Sequence, residues 1–177
     1  MELSKQGYLE LASREGLALT PYLDSVGVKT VGFGSTVSDI KDLPLWAWNR
    51  EISIEEAVSI YKSGLNKYVT GVNKALTLLD IPQHKFDALV SVCYNIGVAG
   101  TAKSTFMKLV NAKASDDEIV DAIMLWNKPH AIIGRRTKEA NLFKNGVYTN
   151  DGACDLIRVD TNHHPHYDRR IDIAEYF

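Results

Sequence analysis

Three side chains near the N-terminus have types and spacing that could do chemistry. Glu15 lies at the end of a short apolar helical stripe, and Asp24 follows nine positions later in the first strand of a predicted hairpin. Thr30 lies six positions beyond Asp24 on the returning strand. Because Asp24 and Thr30 are each three residues from Gly27, we expect hairpin pairing to bring them close together.

Two carboxylates in unlike surroundings suit the hydrolysis of a glycosidic bond. One must keep its proton near neutral pH and donate it to the leaving oxygen, while the other stays ionised and activates water. Glu15 is the candidate acid because burial disfavours a charged carboxylate. Asp24 is the candidate base, and Thr30 can hydrogen-bond the attacking water. The spacing alone, however, favours a structural interpretation in which Glu15 and Asp24 are ordinary helix-end and turn residues.

Composition narrows the class of protein. A chain of 177 residues is expected to form one domain, or one domain built of two lobes, and needs no disulfide or metal to fold. With 20 basic and 22 acidic residues, it lacks the basic excess of a nucleic-acid-binding protein. The two cysteines are too few for a disulfide framework. No apolar run approaches the roughly 18 residues that span a bilayer, and residues 1–16 lack a signal-peptide pattern, so we expect no membrane insertion.

No motif for a cofactor stands out. Phosphate loops, His-Glu-x-x-His and cysteine pairs at zinc spacing do not occur in the sequence. The polar C-terminal segment carries His163, His164, His166 and Asp168 close together. Solvated side chains that bind metal only adventitiously are the favoured interpretation, so we predict neither a metal site nor a cofactor.

Apolar periodicity, capping boxes at Ser53 and Ser115, and glycine stops such as Gly146 predict a chain of helices around one short hairpin. The hairpin spans Tyr22–Gly34, and a loop with Trp46 and Trp48 follows at Asp39–Arg50. After Asn145 the composition turns polar, which predicts an irregular or partly mobile extension. The predicted helices are Leu3–Glu15, Ser53 to about Leu79, Pro82 to Gly97 or Gly100, Ser104–Asn111, Ser115–Trp126 and Arg135–Lys144.

The segment from Glu15 to Gly34 closely resembles the start of phage lysozymes (endolysins) of glycoside hydrolase family twenty-four. The hallmark of that family is Glu, eight residues, Asp or Cys, five residues, Thr, and the match here is complete. The resemblance extends from about Leu3 to Tyr148. Further matching segments are Ile52–Ala57, Phe86–Gly97, Ser104–Asn111, Trp126-Asn127 and Gly134–Phe143.

The resemblance implies a mainly α (α+β), two-lobed lysozyme-like fold. A small N-terminal β-hairpin lobe and a helical C-terminal lobe would be joined by a long helix, with a cleft between them. Residues 1–148 would form the muramidase domain, and residues 149–177 a C-terminal extension to which the family assigns no role.

The resemblance also implies an activity and its residues. The family cleaves the β-1,4 bond between N-acetylmuramic acid and N-acetylglucosamine, typically with inversion, so Glu15 would be the general acid, Asp24 would position or activate water, and Thr30 would assist. Inversion places the two carboxyl groups about 6.5–9.5 Å apart.

Arg135 is expected to pair with Glu15, with Arg136 as the alternative. By their positions, the expected sugar contacts are Tyr94, Asn95, Ser104 and Thr105, while Trp46 or Trp48 would either stack on a sugar or close the small lobe.

The expected partner is bacterial peptidoglycan. A monomeric phage endolysin made in the host cytoplasm would reach the wall through a separately encoded holin. Two alternatives stay open: a lytic transglycosylase, which would need only Glu15, and a non-catalytic wall-binding scaffold.

The sequence departs from the family pattern at Ser35, where many relatives have His, in the Asp39–Arg50 loop and in the extension.

Overall fold

The structure, a computed structural model, describes residues 1–36, 45–78, 80–150 and 152–177. Within these ranges the chain forms seven α-helices, five β-strands and three short 3-10 turns, which confirms the α+β class. The helices are α1 (Lys5–Ala12), α2 (Ile54–Ala75), α3 (Gln83–Ile96), α4 (Val98–Lys103), α5 (Thr105–Asn111), α6 (Asp116–Met124) and α7 (Ile133–Asn145). The strands are β1 (Leu17–Leu23), β2 (Lys29–Gly32), β3 (Ser35–Thr36), β4 (Ala153–Val159) and β5 (Pro165–Asp172).

The chain divides into two compact units. The helical unit comprises Met1–Gly7 and Asn66–Thr149, and the sheet unit comprises Tyr8–Leu65 and Asn150–Phe177. The sequence-based division into residues 1–148 and 149–177 stays a prediction. Among the described residues, no helix combines the length and the apolar composition needed to cross a bilayer.

The sheet unit is built around β1. Its strand order is β3-β2-β1-β4-β5, with β1 antiparallel to β2 and parallel to β4. The parallel pairing joins Leu17 to Leu156 and Ala18 to Ile157, so the two ends of the sequence share one sheet. β1 therefore has a hydrogen-bonded neighbour on each side.

The prediction of an irregular C-terminal extension is wrong, because β4 and β5 form an antiparallel hairpin. All residues from 165 to 170 of β5 are exposed, so the strand has no buried face and lacks the apolar alternation that identifies a strand in a sequence. Arg169, Arg170 and Asp168 on this edge strand carry the charges that discourage pairing with other chains.

The core of the sheet unit lies around Phe33. Its ring lies 5.0 Å from that of Tyr61 and 5.9 Å from that of Phe177, measured between centroids. Leu11, Leu17, Val31, Ile52, Leu65, Cys154 and Ile173 are also buried there. Burying each large apolar side chain stabilises the fold by roughly 1.5–3 kcal/mol.

Helix α2 begins as predicted but ends early. At its start the Ser53 backbone N–H donates to Glu56 Oε2 at 2.8 Å, and the Glu56 N–H donates to Ser53 Oγ at 3.2 Å, which is the predicted capping box. At its end Asn111 donates to the Ala75 carbonyl at 2.9 Å and accepts from the Thr77 N–H at 2.9 Å. This distant side chain ends the helix at Ala75 instead of near Leu79, which lies outside the described residues.

The helical unit is centred on α3, as its apolar sequence predicts. Eight consecutive residues of α3, from Phe86 to Cys93, are buried. Pro82 stands at the N-cap of α3, and Gly97 ends the helix with a φ of 83°. Gly100 does not end α3 but lies in α4, a helix that the sequence did not predict. Helices α5, α6 and α7 fall where they were predicted, within about two residues.

The first helix is shorter than predicted, and its end sets the position of Glu15. After Ala12 the chain makes a tight turn in which the Glu15 N–H donates to the Ala12 carbonyl at 3.1 Å. Gly16 then adopts the left-handed conformation with a φ of 69° and leads into β1.

We predict that Gly16→Ala lowers the free energy of unfolding by about 1–2 kcal/mol, because an L-residue is strained in the left-handed region. Steric overlap is not the cause, since the nearest atom to an added Cβ is the Asp155 carbonyl oxygen at 3.5 Å, an ordinary van der Waals contact. The matched control is Gly134→Ala, where an added Cβ meets nothing within 4 Å. Urea unfolding measures both variants, and an equal effect of the two would contradict the prediction.

Candidate active site

Strand β1 connects the two predicted catalytic carboxylates. Glu15 lies in the turn before β1 and is half-buried, while Asp24 follows directly after Leu23 at the end of the strand. Both residues, together with Thr30, belong to the sheet unit. The position of each carboxylate is therefore fixed by where β1 begins and ends.

Asp24 builds the turn of the hairpin. Its Oδ1 atom accepts the backbone N–H groups of Val26 at 2.9 Å and Val28 at 2.8 Å. The Asp24 N–H also donates to the Val28 carbonyl at 2.9 Å. A short acidic side chain that binds the backbone two residues on is typical of a tight turn. The structural interpretation of Asp24 is thus correct for one of its two carboxylate oxygens.

The register of the hairpin differs from the prediction. Asp24 lies in the turn and not in the first strand, and the turn is centred on Val26 and not on Gly27. Thr30 consequently lies opposite Tyr22, two residues before Asp24. The offset arises because the Asp24 carboxylate captures two backbone amides, which closes the turn one residue earlier.

Thr30 is buried, and its proton is already engaged. The Thr30 hydroxyl donates to the Val28 carbonyl at 3.1 Å, and only 3% of the residue is exposed. A hydroxyl that donates one hydrogen bond keeps its lone pairs for accepting another. Thr30 can therefore hold a water molecule as an acceptor.

Tyr22 interacts electrostatically with both carboxylates, and the sequence did not identify it as a site residue. Burial, followed by the negative charges of Asp24 and Glu15, raises the pKa of the Tyr22 phenol above its ordinary value. The charges of Asp24 and Glu15 thus act on one phenol, which places them in the same electrostatic neighbourhood. Tyr22 is a protonated phenol at neutral pH, as a tyrosine with an ordinary pKa of about 10 also is.

Two of the predicted sugar contacts lie at the start of α5 in the helical unit. The Ser104 hydroxyl is buried, accepts from the Met107 N–H at 3.1 Å and donates to the Thr101 carbonyl at 2.7 Å. It therefore serves as the N-cap of α5. Thr105, the next residue, is exposed.

The other predicted contacts surround the buried carboxylate of Glu139, a residue of the matching segment Gly134–Phe143 to which the sequence assigned no role. Glu139 is buried and binds the guanidinium of Arg136, accepts from Arg135 Nε at 3.1 Å and accepts from Ser91 Oγ at 2.6 Å. Arg136 also donates to Asn95 Oδ1 at 2.6 Å.

Arg136 is fully buried and is not a surface arginine. It donates through Nε to the Trp126 carbonyl at 3.0 Å, which adds to its contacts with Glu139 and Asn95. The Arg135 guanidinium lies 5.5 Å from the centre of the Tyr94 ring. The pairing of Arg135 with Glu15 stays a prediction.

The histidines of the extension lie in the turn between β4 and β5 and at the start of β5. Asp160 accepts the backbone N–H of His164 at 2.9 Å and lies 2.9 Å from His166 Nε2. These contacts lower the pKa of Asp160 to about 2, with the His164 backbone hydrogen bond as the largest cause. Within the described residues, no three side chains of metal-binding type are grouped to hold an ion.

Comparison with known proteins supports a single family. The family model described as Phage lysozyme matches residues 12–139, which is more than half of the chain. The endolysin of Salmonella phage P22 is 32% identical over 147 residues, which cover 81% of this chain and 98% of that protein. The endolysin of Bacillus phage B103 is 30% identical over 85% of this chain, but the match spans only 57% of that longer protein.

Solved structures give the same result. An endolysin from Escherichia coli O157:H7 phage FAHEc1 superposes with a TM-score of 0.73 at 31% identity and covers 85% of this chain and 98% of its own. Shorter matches include the SAR-endolysin of Escherichia phage Mu, which is 31% identical over 63% of this chain and 58% of that protein.

We predict that Asp24→Ala lowers the free energy of unfolding by about 1–2 kcal/mol, because two backbone amides lose their acceptor. Asp24→Asn keeps an oxygen at the same position and should cost less than about half of that. Ser25→Ala, at an exposed position of the same turn, is the control. Thermal unfolding compares the three variants, and equal destabilisation by Asn and Ala would show that the Oδ1 contacts do not hold the turn.

Proposed function

The chain belongs to the phage lysozyme family and is an endolysin that degrades peptidoglycan, and we propose that Glu15, Asp24 and Thr30 carry out the hydrolysis. The bond cleaved is the β-1,4 linkage between N-acetylmuramic acid and N-acetylglucosamine. The observation that supports this assignment is the geometry of the hairpin, which holds Asp24 in its turn and Thr30 opposite Tyr22. The negative charges of Asp24 and Glu15 both raise the pKa of the Tyr22 phenol.

Glu15 acts as the general acid. Its half-buried carboxyl group donates a proton to the glycosidic oxygen as the bond from that oxygen to the anomeric carbon breaks. The leaving sugar departs as a neutral alcohol, and positive charge develops on the ring of the other sugar. Glu15 is left as a carboxylate and regains its proton from solvent.

Asp24 activates the water that attacks the opposite face of the sugar. Among the described contacts, its Oδ1 is held by the turn while Oδ2 accepts no hydrogen bond, so Oδ2 is the oxygen that takes the water proton. Thr30 accepts a second hydrogen bond from the same water, and Asp24 then releases the proton it has taken to solvent, which restores the enzyme. Water that enters from the face opposite the leaving group inverts the anomeric configuration.

Further residues and the route to the wall complete the proposal. The residues that bind the substrate are Tyr94, Asn95, Ser104, Thr105 and Arg135, and the Ser104 hydroxyl also caps the start of α5. The endolysin acts as a monomer and reaches the wall through a holin. The names of its relatives include both endolysin and SAR-endolysin, so lysis measured with and without a holin tests the release route.

We predict that Glu15→Gln abolishes wall lysis, with a loss of roughly 10²–10⁴-fold, the size of a general-acid contribution. The fold is retained because Gln keeps the shape of the side chain. The control is Glu2→Gln, the same chemical change at an exposed position. The measurement is the fall in turbidity of cells stripped of their outer membrane.

Lysis by Glu15→Gln at the wild-type rate would contradict the mechanism. Mass spectrometry of the products tests the role of water, because hydrolysis gives reducing sugars whereas a lytic transglycosylase gives anhydro sugars that are lighter by one water. Anhydro products would overturn the role of Asp24. Binding to purified walls without any fall in turbidity for the wild-type protein would indicate a scaffold.

A further inference from the structure

A cavity of about 540 Å³ lies beside the catalytic hairpin, entirely within the sheet unit. Its size falls in the range of small-ligand sites in proteins. Four segments build it: the end of β1, the start of β2, the stretch before α2, and the turn between β4 and β5. Its principal lining residues are Pro21, Tyr22, Leu23, Lys29, Trp48 and His163.

The cavity adjoins the catalytic residues through the backbone of the hairpin. Leu23 lines the cavity and directly precedes Asp24, while Lys29 lines it and directly precedes Thr30. Tyr22 lies opposite Thr30 in the sheet and also lines the cavity. A polymer that reaches Asp24 and Thr30 therefore has the cavity as a neighbouring place to bind.

The lining combines an aromatic platform with the exposed ammonium group of Lys29, beside the ion-paired Arg50 and the carboxylate of Glu51. The Lys29 ammonium lies 5.5 Å from the centre of a Trp48 ring, and Trp48 is only half-buried. Arg50, which also lines the cavity, is held by Glu56 through hydrogen bonds of 2.9 and 2.5 Å. The apolar face of a sugar ring packs on an indole. A carboxylate on the same sugar pairs with an ammonium ion.

The C-terminal hairpin closes one side of this cavity. The carbonyl of His163 accepts the N–H of Leu23 at 3.2 Å, which ties the β4–β5 turn to the end of β1. A second concavity of about 370 Å³ shares Thr20 and Glu51 with the first and extends along β4 and β5 to Arg158 and Arg169. Both strands lie beyond residue 139, where the match to the family model ends.

We propose that this cavity is an accessory binding site for a muramyl-peptide unit of the glycan strand, and that the C-terminal hairpin serves to complete it. The sugar ring stacks on Trp48, and a carboxylate of the attached peptide pairs with Lys29. The inference rests on the proposed function, since it takes the glycan strand at Asp24 and Thr30 as the polymer that continues into the cavity.

Amide NMR spectra of the Glu15→Gln protein test the site directly, because this variant binds without cleaving. The probes are a purified disaccharide-tetrapeptide from peptidoglycan and, as the uncharged comparison, chitotetraose. We expect the disaccharide-tetrapeptide to shift the resonances of Tyr22, Leu23 and His163. Adding Trp48→Ala should weaken this binding roughly tenfold, as loss of an aromatic stack does. Trp126→Phe, in the helical unit, is the aromatic control and should change nothing.

Lys29→Glu tests the charge without removing a buried group, since Lys29 is exposed. We expect it to weaken binding of the disaccharide-tetrapeptide several-fold and to leave binding of chitotetraose unchanged. In the active protein, Trp48→Ala should raise KM with kcat unchanged, because Trp48 does not touch the reacting atoms.

Unchanged NMR spectra at Tyr22, Leu23 and His163, or equal binding by parent, Trp48→Ala and Lys29→Glu proteins, would overturn the inference. These outcomes leave the proposed function intact, whereas lysis by Glu15→Gln overturns the proposed function and not the binding result. If Trp48→Ala fails to fold, as judged by circular dichroism, the Lys29→Glu result decides alone.

Discussion

The capture of two backbone amides by one carboxylate oxygen is the interaction on which the site depends. By accepting the N–H groups of Val26 and Val28, Asp24 Oδ1 closes the turn that aligns β1 with β2. In the proposed mechanism, the second oxygen of the same side chain takes the proton from the attacking water. A residue that is fixed by the fold costs little further entropy to position when it reacts, which is how preorganised active sites work. Structural and catalytic roles are therefore not alternatives for Asp24.

Strand β1 connects the Asp24 turn to the rest of the sheet unit. Glu15 precedes it, Asp24 follows it, β2 pairs with one edge and β4 with the other. The parallel pairing with β4 brings the C-terminal hairpin to the strand that separates Glu15 from Asp24. A segment that follows the matched family region is thereby placed where it can extend the surface offered to the glycan, without altering the spacing of Glu15, Asp24 and Thr30.

Local signals in the sequence predicted much of this fold. The capping boxes at Ser53 and Ser115, the glycine stop at Gly146 and the apolar α3 are confirmed, because each depends on residues close together in the chain. The early end of α2 was missed because it depends on Asn111, 36 positions beyond Ala75. The strands β4 and β5 were missed because exposure of β5 on both faces removes the alternating pattern.

The sequence named the residues of the candidate site but did not predict their geometry. The family spacing singled out Glu15, Asp24 and Thr30, but not the register in which Thr30 faces Tyr22, since that register follows from side-chain capture of the turn. The structure also gives Ser104 a role that the sequence did not predict, because its hydroxyl caps the N-terminus of α5. Glu139 was part of a matching segment, but its role in binding Arg135 and Arg136 was not predicted, because burial of a helix carboxylate depends on tertiary packing.

A crystal structure of the Glu15→Gln protein with a bound muramyl oligosaccharide tests the proposed roles of Glu15 and Asp24. We expect the amide of residue 15 to lie within about 2.6–3.2 Å of the glycosidic oxygen. We also expect a water held between Asp24 Oδ2 and Thr30 Oγ1 on the opposite face of the sugar. An oligosaccharide bound away from residue 15, or a sugar whose opposite face has no water bound to Asp24, would show that these roles are wrong.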